Sequence, residues 1–192
     1  MNKFLFFIVS LFVLIPTFAQ ETHHMKFMGI TMDCDAESFS QKLIDEKGLA
    51  KSMFDSKNGV VLFGSFAGYD NCYFVIKGNV NIPVYAVGVI FPPQNTFLSV
   101  KSQYNTLKMN LISKYGNPVS CEEVFRNGEP LTDNDRLKEI KEGNAIFETI
   151  FHVEEGFIKL QMTSSDNDGN SHIIYIDNEN AKLQSQKTLD DL

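Results

Sequence analysis

Residues 60–91 read VVLFGSFAGYDNCYFVIKGNVNIPVYAVGVIF, and this run decides the fold. Val60 to Phe66 and Val84 to Phe91 are dense in β-branched and aromatic residues, as is the shorter run Cys72 to Lys77. Such side chains fit a pleated, half-buried surface. Gly68-Tyr69-Asp70-Asn71 reads as a turn, Gly78-Asn79 as the end of the second strand, and Pro92-Pro93 as the end of the third. The connections are too short for a crossover, so the three strands form an antiparallel meander. Strand alternation sends Tyr73 and Tyr85 to one face and Phe74 to the other. If Phe63, Phe66, Tyr69, Tyr73, Phe74 and Tyr85 do not all pack inside, an exposed aromatic row would form a ligand- or protein-binding patch.

A helix precedes this block. Asp35 suits an N-cap, Glu37 favours the positive end of the dipole, and Ala36, Phe39, Leu43 and Ile44 share one face. Gly48 supplies the stop. Phe27 to Met32 is an apolar lead-in.

A second helix follows the block, from about Thr96 or Ser99 to Tyr115, with Val100, Tyr104, Leu107, Leu111 and Tyr115 on its apolar side and Gly116-Asn117-Pro118 as the stop. Residues 120–143 read as a polar stretch containing a short helix from Asp133 to Lys141. A second strand-rich block then runs Ala145 to Val153, Phe157 to Met162 and His172 to Asp177, joined by a Glu154-Glu155-Gly156 turn and an Asp166 to Asn170 loop. The polar tail from Asn178 reads as a frayed helix.

The fold class is therefore α+β, with antiparallel β-meanders and helices on one face. The order helix, three strands, helix, three strands fits a tandem αβββ repeat with units 27–93 and 96–177. An offset of 84 to 87 residues lays Phe63 over Phe147 and Val84 over Ser171. The uncovered face would be solvated or would bind something.

This element order resembles the β-lactamase inhibitor protein family, with its tandem helix-plus-meander units and concave sheet, and the small outer-membrane assembly lipoproteins with a helix-and-meander domain. Phe27-Met28-Gly29-Ile30 ahead of the first helix, and Tyr175-Ile176-Asp177 near the chain end, also look like small exported bacterial proteins of unknown function. The resemblance is one of architecture and assigns no functional residue.

The first 19 residues carry an export pattern. Lys3 is followed by an apolar run from Phe4 to Ile15 broken only by Ser10, then Pro16, with Thr17 and Ala19 as small residues at −3 and −1. This is the pattern of a signal peptide cleaved before Gln20, leaving a single domain over 20–192. The full chain has 192 residues and a net charge of −7; the mature one has 173 at −8, because the leader carries one lysine and no acid. That balance disfavours a broad nucleic-acid surface. No later segment is long enough to span a bilayer as a helix. The expected location is periplasmic or extracellular.

Export makes the cysteines a question. Cys34, Cys72 and Cys121 allow one bridge plus a free thiol, or three inert buried thiols; their spacing disfavours a zinc or dithiol site.

The chain carries no hydrolase, phosphate-binding or dinucleotide motif. The serine of Gly64-Ser65-Phe66-Ala67-Gly68 sits one place too early for a nucleophile elbow. Asp166-Asn167-Asp168-Gly169-Asn170 could offer oxygen ligands to calcium, but it lacks the closing glutamate and reads as a hairpin turn. His23-His24 reads as part of a short mature tail. The acid pairs Glu122-Glu123, Glu154-Glu155 and Asp190-Asp191 read as solvated surface, since neighbours on an extended chain point apart. No catalytic, cofactor or metal residue is assigned. The expected function is a non-enzymatic exported binding module that holds a protein or cell-envelope component. The alternative is an exported hydrolase with a non-standard site using His152 or His172.

Overall fold

In the computed structural model, residues 23–54, 59–165 and 168–190 are described. The export segment 1–19 lies outside them. The chain opens with a small hairpin, β1 (Lys26–Phe27) and β2 (Ile30–Thr31), followed by α1 (Ala36–Lys47). Four strands come next: β3 (Ala50–Lys51), β4 (Val60–Phe66), β5 (Tyr69–Asn79) and β6 (Ile82–Ile90). Then come α2 (Phe97–Tyr115), β7 (Ser120–Phe125), α3 (Asp133–Lys141), β8 (Ala145–Val153), β9 (Gly156–Ser164), β10 (Gly169–Asp177) and α4 (Asn178–Asp190).

The caps explain where the helices start. Asp35 accepts the N–H groups of Glu37 and Ser38, Thr96 that of Ser99, and Thr132 that of Asp135. Gly48 closes α1 in the left-handed region at φ 69°.

The eight strands from β3 to β10 form one antiparallel sheet in the order β3-β4-β5-β6-β10-β9-β8-β7. The order is palindromic. Each half is a helix followed by four antiparallel strands, with α3 inserted between β7 and β8 in the second, and the halves join through their last strands, β6 and β10, with Val89 opposite Ile173. The repeat thus holds one strand more per unit than the αβββ reading, because β3 and β7 extend its two edges. Phe63 and Phe147 do fall on corresponding strands, β4 and β8. However, Phe63 pairs with Tyr73 on the face away from the core, while Phe147 is buried in it. The offset of 84 is therefore out of register for that strand pair, since one residue flips the face.

α1, α2 and α3 cover one face, α1 over β4–β6, α2 over β8–β10 and α3 over β8 and β9. The core lies between, with Phe39 and Leu43 of α1, Tyr104 and Leu107 of α2, and Leu62, Phe74, Phe151 and Ile158 of the sheet fully buried. Each such side chain contributes about 1.5–3 kcal/mol. Tyr104 and Thr149 satisfy one another across this core at 2.6 Å. Gln103 accepts the N–H of Ser171 and donates to the carbonyl of Pro92. Burial pushes the Tyr104 hydroxyl well above its ordinary value, so it stays a neutral donor.

α4 runs along β6 on the opposite face. Its start is fixed by two buried polar residues. Asp177 caps the helix by accepting the N–H of Asn180 at 2.8 Å, and the Asn180 amide donates to the carbonyls of Met32 and Val84. Val84 sits where β6 bulges out of register with β5. Its N–H donates to the Cys34 carbonyl.

Several expected boundaries move. The turn after β4 is Ala67-Gly68, both at positive φ, and Phe66 pairs with Tyr69. A two-residue hairpin of this type needs positive φ at both centres, and an alanine gives no hint of it. The polar stretch 120–143 contains β7, an edge strand. Gly169 and Asn170 belong to β10, while residues 166 and 167 of the acidic loop lie outside the described residues. Met25 is not tail but core.

Candidate functional site

Strand register defines the face away from α1–α3. One row across the sheet runs Val61, Val75, Gly88, Ile174, Lys159, Ile150. The rows on either side contribute Lys77, Ala86, Ile176 and Phe157, and Tyr73, Ile90 and His172. A solvated sheet face would be polar; this one is largely apolar at its centre.

α4 covers only part of it. The helix turns Asn180, Ala181, Gln184 and Lys187 inward, a stripe of small and polar side chains. Such a stripe cannot interlock with Val75, Ile90 and Ile174. The mismatch leaves an open groove of about 580 Å³, with an apolar floor at the β6–β10 seam and a wall of Gln184 and Ser185. Gly88 lies in that floor. A Cβ placed there would meet nothing nearer than 3.9 Å, so the missing side chain is space the groove uses.

Phe74 is in the core and Tyr73 faces the other way, as alternation predicts. Tyr85 lines the groove beside its chain neighbour Ala86, because the bulge in β6 interrupts alternation there. Phe66 and Tyr69 pack around Phe91 on the core side. Phe63 and the 67% exposed Phe54 close on Tyr73 at 5.2 and 5.8 Å and continue the apolar surface beyond the groove.

The groove's charges have one sign. Its lining holds two lysines, Lys77 and Lys159, and no carboxylate, although the chain as a whole is at −7. Lys159 is paired with Glu148 at 3.2 Å. Lys77 is exposed and has no carboxylate partner among the described residues.

His172 stands in a small polar cluster. Thr163 donates its hydroxyl proton to Asn170 Oδ1 at 2.9 Å, and His172 Nε2 lies 3.0 Å from the Thr163 oxygen and 3.3 Å from Asn170 Oδ1. With the threonine proton on the amide, the imidazole N–H donates into the pair rather than withdrawing a proton from it. Burial holds the imidazole below its ordinary 6.5, so it stays neutral. His152 is on β8, exposed and opposite Phe157, apart from this cluster.

The other expected features go elsewhere. Glu122 and Glu123 point to opposite faces, and Glu123 is held by Lys101 and Lys108 of α2. Burial works to raise the Glu123 carboxyl, but the two ammonium groups more than offset it and hold it below its ordinary range. His24 lies 3.3 Å from Asp177 rather than in a free tail. Asp190 is an exposed residue at the end of α4; Asp191 lies outside the described residues. Cys34, Cys72 and Cys121 are all free thiols. The expectation of three buried ones fits Cys72 alone; Cys34 is half-buried and Cys121 exposed, because β7 is an edge. Burial pushes the Cys72 thiol up to about 11. Among the described residues no group of three or more His, Cys, Asp or Glu is placed to hold a metal, and no helix is long and apolar enough to cross a membrane.

A second cavity of about 450 Å³ lies between the β1–β2 hairpin and the end of α2, where Lys26, Lys114 and Glu155 mix both signs with Met28 and Tyr175. The groove is the more apolar and the more uniformly charged of the two.

No protein family, curated protein or solved structure matches the chain.

Proposed function

We propose that the chain is a non-enzymatic exported binding module that holds a component of the cell envelope in the groove beneath α4. One observation carries this reading: the apolar floor at the β6–β10 seam is left open because the helix above it turns a polar stripe inward. Concave, mostly apolar sites with a few convergent polar groups are where proteins hold ligands. The export pattern before Gln20 supports a compartment outside the cytoplasm. The hydrolase alternative draws no support from His172, whose partners are a hydroxyl and an amide with the proton already committed.

The test compares the wild type with Gly88→Leu, which fills the groove. Native mass spectrometry and affinity capture from an envelope extract should find at least one component held by the wild type and released by the variant. Equal retention by both, or retention by neither, overturns the reading.

A further inference from the structure

We infer that the ligand of the groove is a single-chain amphiphile with an anionic head, a long-chain carboxylate being the simplest, its tail on the β6–β10 seam and its head at Lys77. The inference rests on the binding-module reading and names the ligand's class.

Three features of the site converge on it. The floor, from Val75 across Gly88 and Ile174 to Phe157, is a continuous apolar track that runs across the strands. It suits a narrow, flexible hydrocarbon better than a flat ring system, because Gly88 opens a furrow between flanking branched side chains. The wall above is Gln184 and Ser185, which can bond a polar head but offer a tail little. The charge is the third feature. Both lysines in the lining lie at the ends of this track, Lys77 on β5 and Lys159 on β9. Three strand spacings across the sheet and two residues along it separate them, about 16 Å. Lys159 is already neutralised by Glu148, which leaves Lys77 as the available cation of the lining among the described residues. A site of this sign within a chain at −7 favours an anion over a neutral or cationic amphiphile.

Calorimetric titration of the delipidated protein tests this, using straight-chain carboxylates from octanoate to tetradecanoate below their micellar concentrations, with the alcohols of equal length as neutral probes. The expected result is one site per chain. Affinity should rise about fourfold per added methylene until the track is full. The alcohol should bind more weakly, by up to about fivefold, the upper end for an exposed ion pair. Lys77→Gln, a surface change that leaves the core untouched, should erase that preference, and Lys159→Gln should leave it. Gly88→Leu should abolish binding of both probes.

Equal binding of carboxylate and alcohol by the wild type, or a preference that survives Lys77→Gln, overturns the assignment of the head. If no probe binds while the wild type still retains an envelope component that Gly88→Leu releases, the ligand class is wrong and the binding module stands. If neither is seen, both readings fall.

Discussion

The backbone N–H of Met25 donates to the carboxylate of Asp177 at 2.7 Å, joining points 152 residues apart in the sequence. The same carboxylate caps α4 through the N–H of Asn180. One buried group therefore ties the start of the fold to the helix over the groove. Asp177→Ala should leave two buried donors unsatisfied and remove a cap, costing about 2–4 kcal/mol in urea denaturation. Asp177→Asn keeps one acceptor oxygen and should cost less.

Two glycines should respond in opposite ways. At Gly88 an added side chain has room, and a strand glycine costs roughly 0.5–1 kcal/mol in conformational freedom, so Gly88→Leu should match or exceed the wild type in stability. At Gly156 a Cβ would fall 1.9 Å from the Ile176 carbonyl oxygen. Gly156→Ala should therefore lose about 1–3 kcal/mol as the strand ends are forced apart. Thermal melts of both variants check the contrast.

The thiols should react in order of exposure. Native protein titrated with a thiol reagent should modify Cys121 first and Cys34 more slowly, with Cys72 withheld until unfolding. Denatured, unreduced protein should yield all three.

Acid should weaken the fold in two windows. The His172 imidazole is depressed by burial, so the unfolded chain binds its proton first; its share of stability is present above the ordinary 6.5 and is lost as pH falls below it. His172→Gln should flatten that step in a pH series of urea midpoints. The Glu123 carboxyl is also depressed, and its contribution is present above 4.5 and lost below. Glu123→Gln should cost up to about 1 kcal/mol at neutral pH, because the site is partly exposed, and nothing well below 4.5.

Local signals made much of the fold legible. Asp35 marks a helix start by its own chemistry, Thr96 is one of the two starts read for α2, and β4, β8 and α3 have the bounds their residues suggest. What escaped was set by partners far along the chain. β7 reads Ser-Cys-Glu-Glu-Val-Phe, which is polar because edge strands carry charge and one of its acids is neutralised by α2. α4 reads correctly as a helix from Asn178, but it has no apolar stripe to show that it packs on the sheet, and its cap, Asp177, looks like the last residue of a strand. An uncovered sheet face that is solvated or binds something is expected from the sequence, but the groove's place on it could not be read. Val75, Gly88 and Ile174 look like ordinary strand interior until the β6–β10 pairing shows that they share a face.

The palindromic strand order has a consequence for how the molecule assembles. Each half closes through pairings between neighbouring strands in sequence, β7 and β8 across α3, contacts that are local and form early. The seam must wait for a loop spanning α2 and three further strands to close, which carries a larger entropy cost. The groove floor takes Val75 and Gly88 from one half and Ile174 and Phe157 from the other. Ligand competence should thus appear only with the final docking event, and a bound probe in a refolding experiment would time the closing of the seam rather than the formation of either meander.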